Sequence, residues 1–159
     1  MDCFTKINQM ELLPIKQFLE ENKVFEANPL CKEWLHISVE FYKKAGYMEP
    51  WICYYVQKEN EIVGGAAFKG QPANGKVEIA YGTFEPYRKQ GIATEVCHML
   101  INLSLKTDPT VKITARTLPQ YNYSTQILKK NSFTLVGTVD DPEDGEVWEW
   151  EYITNIKTN

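Results

Sequence analysis

The chain has 159 residues, 43% of them apolar, which is enough for one well-filled core and too little for two domains of ordinary size. Its net charge is -4 and its pI is near 5.3, so no basic field exists to hold a nucleic-acid backbone by counterion release. The opening run "MDCFTKINQMELLPIK" has neither a basic segment followed by an apolar one nor a stretch long enough to span a bilayer, so a cytoplasmic protein without membrane partners is expected.

Residues 2–8 read as a first strand. Leu12, Leu13, Ile15, Phe18 and Leu19 then recur at helical spacing, with Pro14 suited to a first turn, where its missing N–H costs little. A second amphipathic segment runs from Pro29 to Gly46, with Leu30, Trp34, Ile37, Val39 and Phe41 on its apolar side. The texture changes at "WICYYVQ" (51–57), "EIVGGAAF" (61–68) and "KVEIAYGTF" (76–84). These runs are short, rich in β-branched and aromatic residues, and separated by turn compositions, which predicts an antiparallel meander. Ile92, Val96, Met99, Leu100 and Leu103 fall on one helical face, ending before Asp108-Pro109. Val111, Ile113 and Ala115 alternate as a strand, a short helix follows over residues 124–130, and "FTLVGTV" and "EVWEWEYI" form a closing strand pair. The predicted order is β-α-α-β-β-β-α-β-α-β-β.

Cys3, Cys31, Cys53 and Cys97 contain no Cys-x-x-Cys pair and read as buried thiols. His36 and His98 have no ligand-like neighbours, so no metal is expected.

The stretch "EPYRKQGIA" joins a strand to a helix N-terminus, where unpaired amides and the positive end of the macrodipole favour an anion. Arg88 and Lys89 add positive charge, Gly91 removes a side chain that would block close approach, and Ala93 and Thr94 keep the first turn slim. The stretch suits a pyrophosphate. A P-loop needs Lys-Ser/Thr after its glycine, but Ile92 follows Gly91, and a dinucleotide fingerprint needs three spaced glycines where one is present.

Arg88-Lys89-Gln90-Gly91-Ile92-Ala93 matches a Gln/Arg-x-x-Gly-x-Gly/Ala pattern. With "VEIAYGTFEPYRKQGIATEV" and, downstream, "ARTLPQYNYSTQILKKNSFTLVG", the chain resembles the GNAT superfamily of acyl-CoA-dependent N-acyltransferases, in particular its ribosomal-protein N-terminal acetyltransferase branch. The resemblance implies one α/β (α+β) domain over residues 1–159, with a mixed, mostly antiparallel sheet of about seven strands and helices on both faces. It implies acetyl-CoA as acyl donor, a small-molecule or peptide amine as acceptor, and a monomer or homodimer. Backbone groups of Thr83 and Phe84 would pair with the pantetheine arm, amides from Arg88 through Lys89, Gln90, Gly91, Ile92, Ala93 and Thr94 would wrap the pyrophosphate, and Asn122 would contact the pantetheine.

The implied reaction is direct attack of an amine on a thioester in a ternary complex. It needs a neutral amine, a stabilised oxyanion and an expelled thiolate. By resemblance Glu78 stands where relatives carry a base; its other reading is a strand glutamate satisfied by a nearby cation. Relatives often place an acidic tyrosine where this chain has Leu128, and this branch often uses serine at the position of Ser124. Ser124 is therefore the candidate acid, or alternatively the N-cap of the short helix. The usual Gly before Phe133 is Ser132, leaving Asn131 as the expected left-handed helix end. Cys97 lies inside a helix with no histidine placed to activate it, which argues against a covalent intermediate.

Among Trp34, Tyr42, Trp51 and Tyr55, about one is expected to face substrate rather than core. The acidic run "DDPEDGE" (140–146) reads as a solvated turn, or as attraction for a cationic amine. The alternative function is a non-catalytic acyl-CoA-binding or protein-interaction module on the same fold.

Overall fold

The computed structural model describes residues 9–153. Seven strands form one sheet in the order β1-β2-β3-β4-β5-β7-β6: β1 (Met10–Pro14), β2 (Cys53–Lys58), β3 (Glu61–Phe68), β4 (Lys76–Thr83), β5 (Lys112–Thr117), β6 (Phe133–Asp141) and β7 (Gly145–Tyr152). The helices are α1 (Lys23–Glu26), α2 (Lys32–Ala45), α3 (Ile92–Thr107) and α4 (Tyr123–Lys130).

β2, β3 and β4 form the predicted antiparallel meander. Glu59 and Asn60, both at positive φ, supply the tight turn between β2 and β3. α3 then carries the chain across, so β5 returns parallel to β4. That parallel ladder is short: Lys76–Ile79 pair with Lys112–Ala115, and β4 continues to Thr83 without β5. β5 turns away to pair with β7 through Arg116↔Glu149 and Thr117↔Trp148. The sheet therefore splits, and the free edge of β4 beyond Ile79 faces the gap.

Alternation sets the two faces of the sheet. Val77 and Ile79 pack with Val96, Leu100, Ile113 and Ile127 in the buried core on the α3 and α4 side. The opposite face, bearing Glu78, Ala80 and Gly82, looks toward α2. Leu35, Ser38, Val39 and Tyr42 are the buried row of α2. Its anchor is polar as well as apolar: the Tyr42 hydroxyl donates to the Ile15 carbonyl at 2.7 Å and accepts from the Cys53 amide at 2.9 Å.

The segment from Leu12 to Leu19 departs from its helical pattern. Met10–Pro14 is the edge strand β1, paired to β2 in the register Met10↔Lys58 to Pro14↔Tyr54. An edge strand tolerates Pro14 because only one side of the strand is hydrogen-bonded. Buried Asn22 fixes the following loop, accepting from the Lys16 amide at 2.9 Å and donating to the carbonyls of Lys16 and Phe18. The strand expected over residues 2–8 lies outside the described residues. Leu30 and Ile37, assigned to the apolar side of α2, are exposed at 39% and 50% and face a groove rather than the core. At the end of α4 the left-handed residue is Ser132, at φ 68°, not Asn131. Asn131 instead donates to the carbonyls of Thr94 and Ile127, tying α4 to α3.

Candidate active site

The gap between β4 and β5 lies at the centre of connected cavities. On the α3 side, a cavity of about 500 Å³ is lined by Thr83, Arg88, Lys89, Gly91, Ile92 and Ala93, with Tyr81 and Ser124 also on its wall. A narrower cavity of about 190 Å³ fills the split itself, between Ala80, Tyr81, Arg116 and Thr117, and it too reaches Ser124, Asn122 and Leu128. On the α2 side, cavities of about 570 and 450 Å³ share Trp34, Ile37 and Ala80. Phe84 lines the first of these.

Gly91 is the N-cap of α3 at φ 76°, ψ 8°, a left-handed conformation that glycine adopts without strain. A Cβ there would meet no protein atom within 4 Å, so backbone geometry and the neighbouring cavity, not packing, set the demand for glycine. No side chain caps the helix, which leaves the first-turn amides of α3 available to an anion. Arg88 is braced rather than free: its Nε donates to the Thr83 carbonyl at 3.2 Å. Gln90 is exposed and lines neither this cavity nor its neighbours, and the Thr94 carbonyl accepts from Asn131. Gln90 therefore stands apart from the rest of the predicted set, whereas the Thr94 amide remains one of the uncapped first-turn amides of α3.

At the start of α4, Asn122 is the N-cap. Its side-chain oxygen accepts from the Thr125 amide at 3.2 Å, while Thr125 Oγ1 accepts from the Asn122 amide at 2.9 Å. Ser124, the other candidate for that cap, is exposed and lines both the α3-side cavity and the split. This division of labour has a measurable consequence. Asn122→Ala should cost about 1 kcal/mol and lower Tm by roughly 2–4 °C, whereas Ser124→Ala should leave Tm unchanged and lower turnover. Thermal melts of both variants check it, and an equal fall in Tm for Ser124→Ala would make that serine a structural residue.

Glu78 lies on the same face as Ala80, one pleat along β4, and does not itself line the cavities. Burial pushes its pKa above the usual carboxylate range. Arg116 and Lys69 oppose that rise, while Asp141 and Glu149 add to it. Arg116 is the hub: its Nε lies 3.7 Å from Glu78 and 3.4 Å from Glu149, and its Nη1 donates to Asp141 at 3.0 Å. Burial lowers the pKa of Arg116, but Asp141, Glu78 and Glu149 outweigh it and keep the guanidinium charged. Asp141 also accepts from the amides of Glu143 and Asp144, so part of the acidic run is a turn braced by its own aspartate and by Arg116. Sequence reasoning missed Arg116. Its one available signal was position: it continues the alternation of β5 onto the face of Thr114, which pairs with Glu78.

Of the four aromatics considered, Tyr42, Trp51 and Tyr55 are buried in the core. Trp34 alone of the four lines the α2-side cavities. Tyr81, also unforeseen, lines three of the four connected cavities. Burial raises the pKa of its phenol, and Cys97 adds to the rise. Cys97 is itself fully buried with its thiol pushed up to about 12, too high for a nucleophilic thiolate at neutral pH. Cys31 and Cys53 are likewise buried free thiols. Among the described residues no helix is long and apolar enough to cross a membrane.

A mixed sheet split beside a bare helix N-terminus is the architecture of acyl-CoA N-acyltransferases, and comparison with known proteins agrees. The acetyltransferase (GNAT) domain profile matches residues 17–134, and the chain belongs to this family of acetyltransferases. It is 35% identical over 132 residues to the uncharacterized N-acetyltransferase YjdG of Bacillus subtilis (strain 168), covering 82% of this chain and 72% of that protein. The fold also matches RimL, a ribosomal-protein alpha-N-acetyltransferase solved in complex with coenzyme A. That match has a TM-score of 0.64 and 16% identity, covering 91% of this chain and 93% of that one. A chimera of the Vibrio cholerae spermidine N-acetyltransferase SpeG with hSSAT matches with a TM-score of 0.66 and 11% identity, over 91% and 95% of the respective chains.

Proposed function

We propose that this acetyltransferase moves an acetyl group from acetyl-CoA to a primary amine, on a peptide N-terminus or a small molecule, by direct attack in a ternary complex. The observation that carries this reading is the unpaired edge of β4 beyond Ile79, running into the bare N-terminus of α3 at Gly91. An extended chain ending in phosphates fits such a site: the outward backbone groups of Tyr81 and Thr83 can pair with amides, whereas the Phe84 amide donates to the Val63 carbonyl and its carbonyl accepts from Tyr87, and the amides from Gly91 to Thr94 can hold a pyrophosphate. RimL binds coenzyme A on the same fold.

When bound, acetyl-CoA supplies a thioester carbonyl for the amine to attack. The residues of this chain do the rest. Glu78 is the proton acceptor for the incoming ammonium or amine. It acts through water, because it stands one pleat from the cavity floor at Ala80. Its raised pKa suits that role, because a carboxylate of ordinary pKa is too weak a base. Ser124, on the wall where the α3-side cavity meets the split, is assigned the role of proton donor, or at least hydrogen-bond donor, to the departing sulfur. A thiol of ordinary pKa, about 8.5, needs only modest help of this kind. Leu128 is buried in the wall of the split and contributes shape, not a proton.

The chain is expected to work in the cytoplasm as a monomer or homodimer, with no nucleic-acid partner. The deciding experiment is release of CoA from acetyl-CoA with and without an added primary amine. Amine-dependent release is the expected result, and tight binding without release would instead favour a non-catalytic module.

A further inference from the structure

The α2-side cavities carry information about the acceptor. Trp34, Ile37 and Phe41, spaced at i, i+3 and i+7, form one face of α2, and that face makes the cavity wall. Cys53, Ala67 and Ala80 form a floor of small residues. The wall is fixed in place. Trp34 Nε1 donates to the Tyr54 carbonyl at 2.9 Å, and the indole lies so close to β3 that a Cβ on Gly65 would come within 2.5 Å of it. Only glycine at position 65 allows that approach.

The charges at the far rim are the second observation. Lys44 and Lys69 line it, with Lys69 Nζ 5.7 Å from the Phe41 ring centroid. Of the two acids there, Glu40 is engaged by Lys43 at 2.9 Å, and Glu143 stands on the same rim. On the sheet, Glu78, Asp141 and Glu149 are gathered on Arg116. Three carboxylates share one guanidinium there, so the lysines of the rim are offset by acid on the sheet, and the apolar wall rather than the charge of the rim sets the preference.

We propose that the acceptor is a primary amine borne on an aromatic or large aliphatic group, as in a peptide whose first residue is apolar. The apolar group lies against Trp34, Ile37 and Phe41, and the amine points toward Ala80 and the split. This inference rests on the acetyl-transfer reading and narrows it. Spermidine, the substrate named for SpeG, carries no bulky apolar group for this wall and is expected to be the poorer acceptor.

The test compares kcat/KM for CoA release with three acceptors, Phe-Ala, Gly-Gly and spermidine, alongside the Tm shift produced by CoA. The two dipeptides share an α-amine and a free carboxylate, so the Phe side chain is the main difference between them. Phe-Ala should exceed both others about tenfold or more, the range expected for burying one aromatic side chain. Ile37→Asp, a change at a half-exposed position that the fold tolerates, should lower kcat/KM for Phe-Ala about tenfold and remove most of its advantage over Gly-Gly. Equal use of the dipeptides, preference for spermidine, or release with none of the three would overturn the acceptor assignment even though CoA raises Tm. If CoA raises no Tm, the cofactor reading has failed and the acceptor assignment falls with it.

Discussion

Glu78→Gln is expected to lower kcat about a hundredfold, to abolish the acidic limb of the pH–rate profile, and to change acetyl-CoA affinity by less than about twofold. The same substitution should not lower Tm. Burial holds the Glu78 pKa above its ordinary value, so the folded chain disfavours the carboxylate that turnover requires. A raised carboxylate pKa costs no stability below the unfolded value; the cost grows as pH rises between the two values and is complete above the folded one. At neutral pH the glutamine variant is therefore spared that penalty, and its Tm should equal or exceed wild type. Loss of rate with retained stability is the signature of a base, while loss of both would mark Glu78 as a structural partner of Arg116. Steady-state kinetics from pH 5 to 9 and a melt at pH 7 make the distinction. A normal rate and profile would assign the proton to another group.

Gly91→Asp should abolish detectable CoA binding and lower Tm by only a few degrees. The new side chain points into open space, so the fold loses little beyond the strain of a left-handed non-glycine residue, about 1–2 kcal/mol. A carboxylate beside a pyrophosphate is a different matter: one charge pair at 4 Å costs roughly 4 kcal/mol at an effective dielectric of 20, a loss of more than about a hundredfold in affinity. Gly91→Ala separates the two effects, because it carries the strain without the charge. Calorimetric titration of CoA into both variants should find Ala weakened and Asp silent. Unchanged affinity in the Asp variant would remove the pyrophosphate from this loop.

The meander, α3 and the closing hairpin were legible because each repeats its period over enough residues to exclude the alternative. Leu12 to Leu19 was not, since a few apolar residues around Pro14 satisfy both periods, and the pairing of Met10–Pro14 with β2 decided the matter from forty or more residues away. The loop at Gly91 could be read because its chemistry is local: amides, a helix end and a left-handed residue adjacent in sequence. Arg116 could not, because its partners Glu78, Asp141 and Glu149 come from three other strands and meet it only through the β4–β5 and β5–β7 registers. Ser124 and Asn122 show the intermediate case. Both residue types suit a cap, and only the start of α4 at Tyr123 gives the cap to Asn122.

The most direct test of the central claim is the melting temperature of the wild-type chain with acetyl-CoA, CoA and ATP at matched concentrations. A ligand that binds the folded state alone stabilises it by about 2.7 kcal/mol at a hundred times its Kd, a shift of several degrees for a domain of this size. The site described here requires a rise with acetyl-CoA and with CoA and none of comparable size with ATP. No rise with acetyl-CoA up to millimolar concentration would contradict it.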